Sequence, residues 1–126
     1  MAHNKQRLSE IIKRQAEVFL LDAGEFFPFG SYIDIKGDIK PCSAYIETEN
    51  DRPESVVLIK ILEDFFIEGT KNGKILLGAI GIDVTLHKGG IKYDGIQIRF
   101  FEKDNQSINT LNYTVYEHSV AFYEFD

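Results

Sequence analysis

Residues 75–88 read Ile-Leu-Leu-Gly-Ala-Ile-Gly-Ile-Asp-Val-Thr-Leu-His-Lys, and no other stretch limits the possible folds as much. It holds no proline and is rich in β-branched residues, so it predicts one long strand. Leu76, Ile80, Ile82, Val84 and Leu86 fall on one face of that strand. The other face begins apolar with Ile75, Leu77 and Ala79 and ends polar with Asp83, Thr85 and His87. A strand of that pattern starts buried on both sides and emerges with one side in water or in a polar cleft. Lys88-Gly89-Gly90 turns the chain, and Ile91 to Glu102 returns as a second strand. There Ile96, Ile98 and Phe100 alternate with Gln97, Arg99 and Phe101. Gly78 and Gly81 leave the backbone open to close approach by a helix or an aromatic ring.

The rest of the chain must cover such a sheet. Residues 4–23 carry Leu8, Ile11, Ile12, Ala16 and Phe19 at three- and four-residue steps, which predicts an amphipathic helix. Asn4 suits its N-cap, and Ala23-Gly24 suits its stop. Glu25-Phe26-Phe27-Pro28-Phe29-Gly30 follows. Pro28 lacks a donor and pushes Phe27 into extended geometry, so this is a corner where helix hands over to sheet. Residues 31–36 and 39–47 predict a hairpin, and Pro41 demotes its second arm to an edge strand. A second helix opens at residues 50–54, with Asp51 and Glu54 spaced as a capping box. Its stripe is Leu58, Ile59, Leu62, Phe65 and Phe66, and Gly69 is expected to end it. Residues 103–106 form a polar turn, and two last strands run near 111–116 and 120–125. The order α-β-β-α-β-β-β-β gives one α+β domain over residues 1–126, a mostly antiparallel sheet with two helices packed on it. Profilin-like and roadblock-like sheets have a related order, an analogy of fold that carries no function.

At 126 residues with a net charge of −6, the chain has ten Phe and six Tyr but no Trp. Residues 1–20 hold four basic and two acidic side chains, so the remainder is −8. An acidic body argues against nucleic acid and suits a basic partner or simple solubility. A lone Cys42 forms no intrachain disulfide. No signal peptide or membrane-length apolar run is visible, so a cytoplasmic location is expected. His3, His87 and His118 stand outside metal-ligand spacing of one another and of Cys42, so no metal and no cofactor is expected.

Three groups of residues are candidates for function. Asp83, His87 and Arg99 are expected on one face of adjacent strands, with steps of roughly 7 Å along the strand, and could do acid–base work or hold an anion. A merely solvated strand end accounts for the same pattern. The acidic residues Glu47, Glu49, Asp51 and Glu54 could meet a basic partner, or could be a dipole-favoured helix start. Phe26, Phe27, Phe29 and Tyr32 could line a ligand groove, or could pack in the core.

The block Gly24-Glu25-Phe26-Phe27-Pro28-Phe29-Gly30, with Asp83-Val84 and Asp94-Gly95-Ile96-Gln97-Ile98 downstream, resembles small, uncharacterised bacterial single-domain proteins. In those, a G-E-F-x-P-F-G block follows an N-terminal helix. A Pro-Tyr pair frequent in their penultimate strand is Val115-Tyr116 in this chain. The resemblance implies a bacterial cytoplasmic protein without a settled activity, and some proteins of this size and acidity resemble immunity proteins of toxin systems. The function expected from the sequence is a non-catalytic binding or protein-interaction module, with a protein partner or a homodimer. The alternative is a small enzyme or anion-binding domain built on Asp83, His87 and Arg99.

Overall fold

The computed structural model describes residues 2–43 and 54–125. Helix α1 spans Ala2–Ala23, and strands β1 (Phe29–Asp34) and β2 (Ile39–Cys42) follow. Helix α2 spans Ser55–Lys71, and then come β3 (Ile75–Lys88), β4 (Ile91–Glu102), β5 (Asn105–Val115) and β6 (Val120–Glu124). The strands form a single antiparallel sheet in the order β2-β1-β3-β4-β5-β6. It is the α+β arrangement that the sequence pattern predicts. Among the described residues no helix is long and apolar enough to cross a membrane.

The two helices take opposite faces of the sheet. Leu8, Ile12, Ala16 and Leu20 of α1 are buried against Phe29, Ile33, Leu77, Ala79, Ile96, Ile98, Phe100, Leu111 and Tyr113. That core reaches from β1 to Val120 on β6. Leu62 and Phe66 of α2 pack against Ile75, Ile80, Ile82 and Phe101. Phe66 lies directly on backbone: a Cβ added at Gly78 would sit 2.5 Å from its ring, and one at Gly30 would sit 3.0 Å from it. Glycine in a strand interior is a cost unless something needs the space, and here a ring fills it. Gly81 does the same on the other face, under Ile12 and Phe29.

Several local details depart from the sequence pattern. Helix α1 begins at Ala2, so Asn4 lies inside it and is not its cap. Glu54, not Asp51, is the N-cap of α2: its backbone is extended and its carbonyl accepts from Val57 and Leu58. A capping box would need Glu54 two residues inside the helix, so that motif does not form. Gly69 does not end α2, which runs on to Lys71 with Asn72 as C-cap. The glycine is there because the Ile75 side chain packs onto it and occupies the place a Cβ would take. The turn before β5 is only Lys103-Asp104, with Asp104 at φ 59°, a left-handed conformation that Asp tolerates. A bulge pairs Ile33 with Leu77 but Asp34 with Ile75, which turns Ile75 to the α2 side and leaves Leu76 exposed.

Both edges of the sheet are modified. Strand β2 carries Pro41, which has no N–H, as expected for an edge. On β6, the outward N–H of Val120 donates to Glu17 Oε2 of α1 at 2.9 Å. Asp34 closes the β1–β2 turn: its Oδ1 accepts from the N–H groups of Lys36 and Asp38, and Oδ2 lies 3.1 Å from Lys40 Nζ. The Asp38 N–H is the chief reason its carboxyl titrates below the usual range.

Candidate functional site

Strand β1 begins with Phe29, opposite Gly81. Beyond Gly81, β3 therefore continues without β1 beside it. Gly24, at φ 77°, ends α1, and the segment 25–28 crosses this notch before entering β1. A cleft of about 820 Å³ opens there. Phe19, Asp22, Glu25, Phe26, Phe27, Pro28 and Phe29 line it from the helix end and the corner. Asp83 and Thr85 of β3, Asp94 of β4, Tyr113 of β5, and Ser55 and Leu58 of α2 are among the residues that line its other sides.

The rings are rigidly placed. Phe29 is buried and meets Phe19 and Phe26 edge-on, with centroids 5.2 and 5.5 Å apart. Phe26 and Pro28 are buried as well, whereas Phe27 is 47% exposed. The corner is therefore core at Phe26 and Phe29 and surface at Phe27.

Asp83 fixes the floor. Its Oδ1 accepts from the Tyr113 hydroxyl at 2.8 Å, and its Oδ2 accepts from the Phe26 N–H at 3.4 Å. Burial pushes the Asp83 carboxyl above its ordinary range; these two hydrogen bonds oppose the shift, and the neighbouring Asp94 and Glu25 add to it. The Tyr113 phenol is raised well above its own range, first by burial and then by its bond to Asp83. The cleft thus holds four carboxyl groups, from Asp22, Glu25, Asp83 and Asp94, and no Lys, Arg or His among its described lining. The start of α2 offers roughly half a positive charge nearby, too little to reverse that sign. Among the described residues no three His, Cys, Asp or Glu side chains are grouped to hold a metal ion. The carboxyl groups are spread along the cleft, not focused on one point.

The expected Asp83, His87 and Arg99 face does not exist. The two-residue turn Gly89-Gly90, with both φ values positive, pairs Lys88 with Ile91. Odd positions on β3 therefore face even positions on β4. Asp83 lies opposite Ile96 and His87 opposite Lys92, while Arg99 lies opposite Ile80 on the α2 side. Arg99 there bonds Gln97 Oε1 at 2.7 Å and Glu63 Oε1 at 3.1 Å. His87 is exposed and outside the cleft. Tyr32 also leaves its group: it stacks edge-on with Phe65 and Phe66 on the α2 face. Glu54 is exposed at the head of α2, and Glu47, Glu49 and Asp51 lie outside the described residues. Of the candidates, the structure brings together Phe26, Phe27, Phe29 and Asp83. The pattern of single residues missed Asp22, Glu25, Asp94 and Tyr113. A signal was available for two of them, since Asp22 and Glu25 flank the helix stop at Gly24.

No protein-family model matches the chain, and no curated protein and no solved structure is detectably similar to it.

Proposed function

We propose that this protein is a non-catalytic interaction module that docks a basic partner protein at the corner cleft. The cleft receives a cationic side chain of that partner between the carboxylates and the phenyl rings. One observation carries the reading: a cavity walled by Phe19, Phe26, Phe27, Phe29 and Tyr113 holds four carboxyl groups and no cationic side chain among its described lining. An organic cation gains twice there. It relieves the repulsion that Asp94 and Glu25 exert on Asp83. It also meets aromatic faces, a contact that contributes about 0.5–2 kcal/mol depending on desolvation. The net charge of −6 steers a basic partner toward it. An immunity-like protein that covers a basic toxin would be one case of such a module.

The test is an NMR titration with N-acetyl-arginine amide, and with N-acetyl-glutamate amide as control. The arginine probe should shift the amides of Gly24, Phe26, Thr85 and Asp94, and salt should weaken the effect. The glutamate probe should shift none of them. Asp83→Asn combined with Asp94→Asn should abolish the response. A cleft silent to the arginine probe, or a double variant that responds as the parent does, would sink the reading.

A further inference from the structure

We propose that the edge of β3 beyond Gly81 takes up an extended segment of the basic partner as an added antiparallel strand. The proposal rests on the cleft docking a basic partner, and adds how that partner's chain enters. Strand β3 runs on to Lys88, but β1 stops beside it at the Phe29–Gly81 pair. No other described strand flanks residues 83–87 on that side. In an antiparallel ladder the backbone N–H and C=O groups point to alternate sides, residue by residue. The two-residue turn at Gly89-Gly90 closes on Lys88 and Ile91, which directs the even positions of β3 toward β4. The odd positions point toward β1, as the Ala79 carbonyl does where it lies against Gly30. The backbone groups of Thr85 and His87 therefore face the notch, and both residues are exposed. Segment 25–28 crosses nearer Asp83, where the Phe26 N–H reaches that carboxylate.

The row of backbone groups selects an extended chain, and the walls select its side chains. Main-chain bonds to a sheet edge give affinity, and surroundings that alternate along it give specificity. On the α1 side of this edge stand the carboxyl groups of Asp83 and Asp94 and the Tyr113 ring. On the α2 side Val84 packs against the smaller core, and Leu58 lines the same cleft. An added strand places every second residue among the carboxyl groups and the residues between them against Val84 and Leu58. Basic residues alternating with apolar ones suit these walls, and a second copy at −6 does not. The outer margins of the sheet carry Pro41 and a Val120 donor claimed by Glu17, whereas residues 83–87 include no proline. The inner margin keeps the capacity to pair that both outer ones have lost.

The probe is the acetylated pentapeptide amide Thr-Val-Arg-Val-Thr, and the readout is amide exchange of the full chain by NMR. Set opposite Thr85, its arginine falls among the carboxyl groups and its valines beside Val84. In the unliganded protein the Thr85 and His87 amides should exchange fast. Peptide at about ten times its Kd should slow both about tenfold. The amides of Val84 and Leu86, which face β4, should hardly change. The same peptide N-methylated at the arginine and both threonines keeps its side chains and charge but offers β3 no N–H. It should bind about tenfold more weakly, or worse, and leave both amides fast. A peptide with glutamate in place of the arginine should also bind about tenfold more weakly or worse. Thr85 and His87 amides already slow without peptide, or equal binding of either altered peptide, would overturn the assignment. If the peptide leaves both amides fast while N-acetyl-arginine amide still shifts Gly24 and Asp94, strand addition fails and the cation site stands.

Discussion

The two sides of the sheet are covered by the same means to different extents. On the α1 side, four helical residues spaced over twelve positions meet side chains from five strands, and the core runs from β1 to β6. On the α2 side, the contact centres on Leu62 and Phe66 with Ile59 packed beside them, and Phe66 sits in a depression floored by Gly30 and Gly78. One side is a broad layer and the other is a plug. A broad layer shares each loss among many neighbours, whereas a plug concentrates it. The plug also leaves the β5–β6 half of its face open and Val57, Ile61 and Phe65 of α2 partly exposed.

The sharpest way to break this comparison is Phe66→Ala. It should lower stability by about 3–5 kcal/mol, read from the urea midpoint. Amide exchange should speed up along α2 far more than along α1. Uniform acceleration in both helices would mean that the two sides are one cooperative layer. Next in size is Gly78→Ala, which drives a methyl into the Phe66 ring and should cost about 1–3 kcal/mol. In a Phe66→Ala background the same change should cost little, because the two sites are coupled through that contact.

Asp83 gives a smaller effect with a definite sign. Its folded-state carboxyl titrates above the ordinary aspartate value of 3.8, chiefly because it is buried. The folded state therefore holds the proton longer than the unfolded chain does. The resulting stability is present below pH 3.8 and is lost as pH rises through the raised pKa. Subtracting the pH profile of Asp83→Asn from that of the parent should isolate this fall; a flat difference would remove Asp83 as its source. Arg99→Gln should cost about 0.2–1 kcal/mol, the range for a partly exposed ion pair. It should leave the cleft's response to the arginine probe intact. Phe27→Ala should lie within about 0.5 kcal/mol of the parent while weakening probe binding. A large stability loss there would move Phe27 from the cleft wall into the core.

The fold was legible where periodicity ran long. The strand at 75–88, its return at 91–102 and both helices follow from alternation or from three- and four-residue spacing. What failed was decided by single residues at junctions. A two-residue turn reverses the parity between strands, and this alone separates Arg99 from Asp83. One bulge moved Ile75 from one face to the other. Gly69 read as a helix stop because its real reason, Ile75 lying against it, comes from a tertiary contact. The cleft was half legible. Its rings form one run in the sequence, but its carboxyl groups come from α1, the corner, β3 and β4, and nothing local joins Asp94 or Tyr113 to Asp83.

The carboxylate of Glu17 at the rim of β6 bears on the behaviour of many molecules as well as one. An antiparallel sheet with two bare margins is a template for filaments, each copy adding strands to the last. Here one margin has a proline where a donor would be, and the other has a donor already claimed by Glu17. Growth strand by strand is hindered at both ends, so a crowded solution of this protein should resist adding copies edge to edge. Glu17→Ala should then shorten the lag before thioflavin-positive fibrils form under agitation. An unchanged lag would mean that the cap on Val120 plays no part in holding fibrils back.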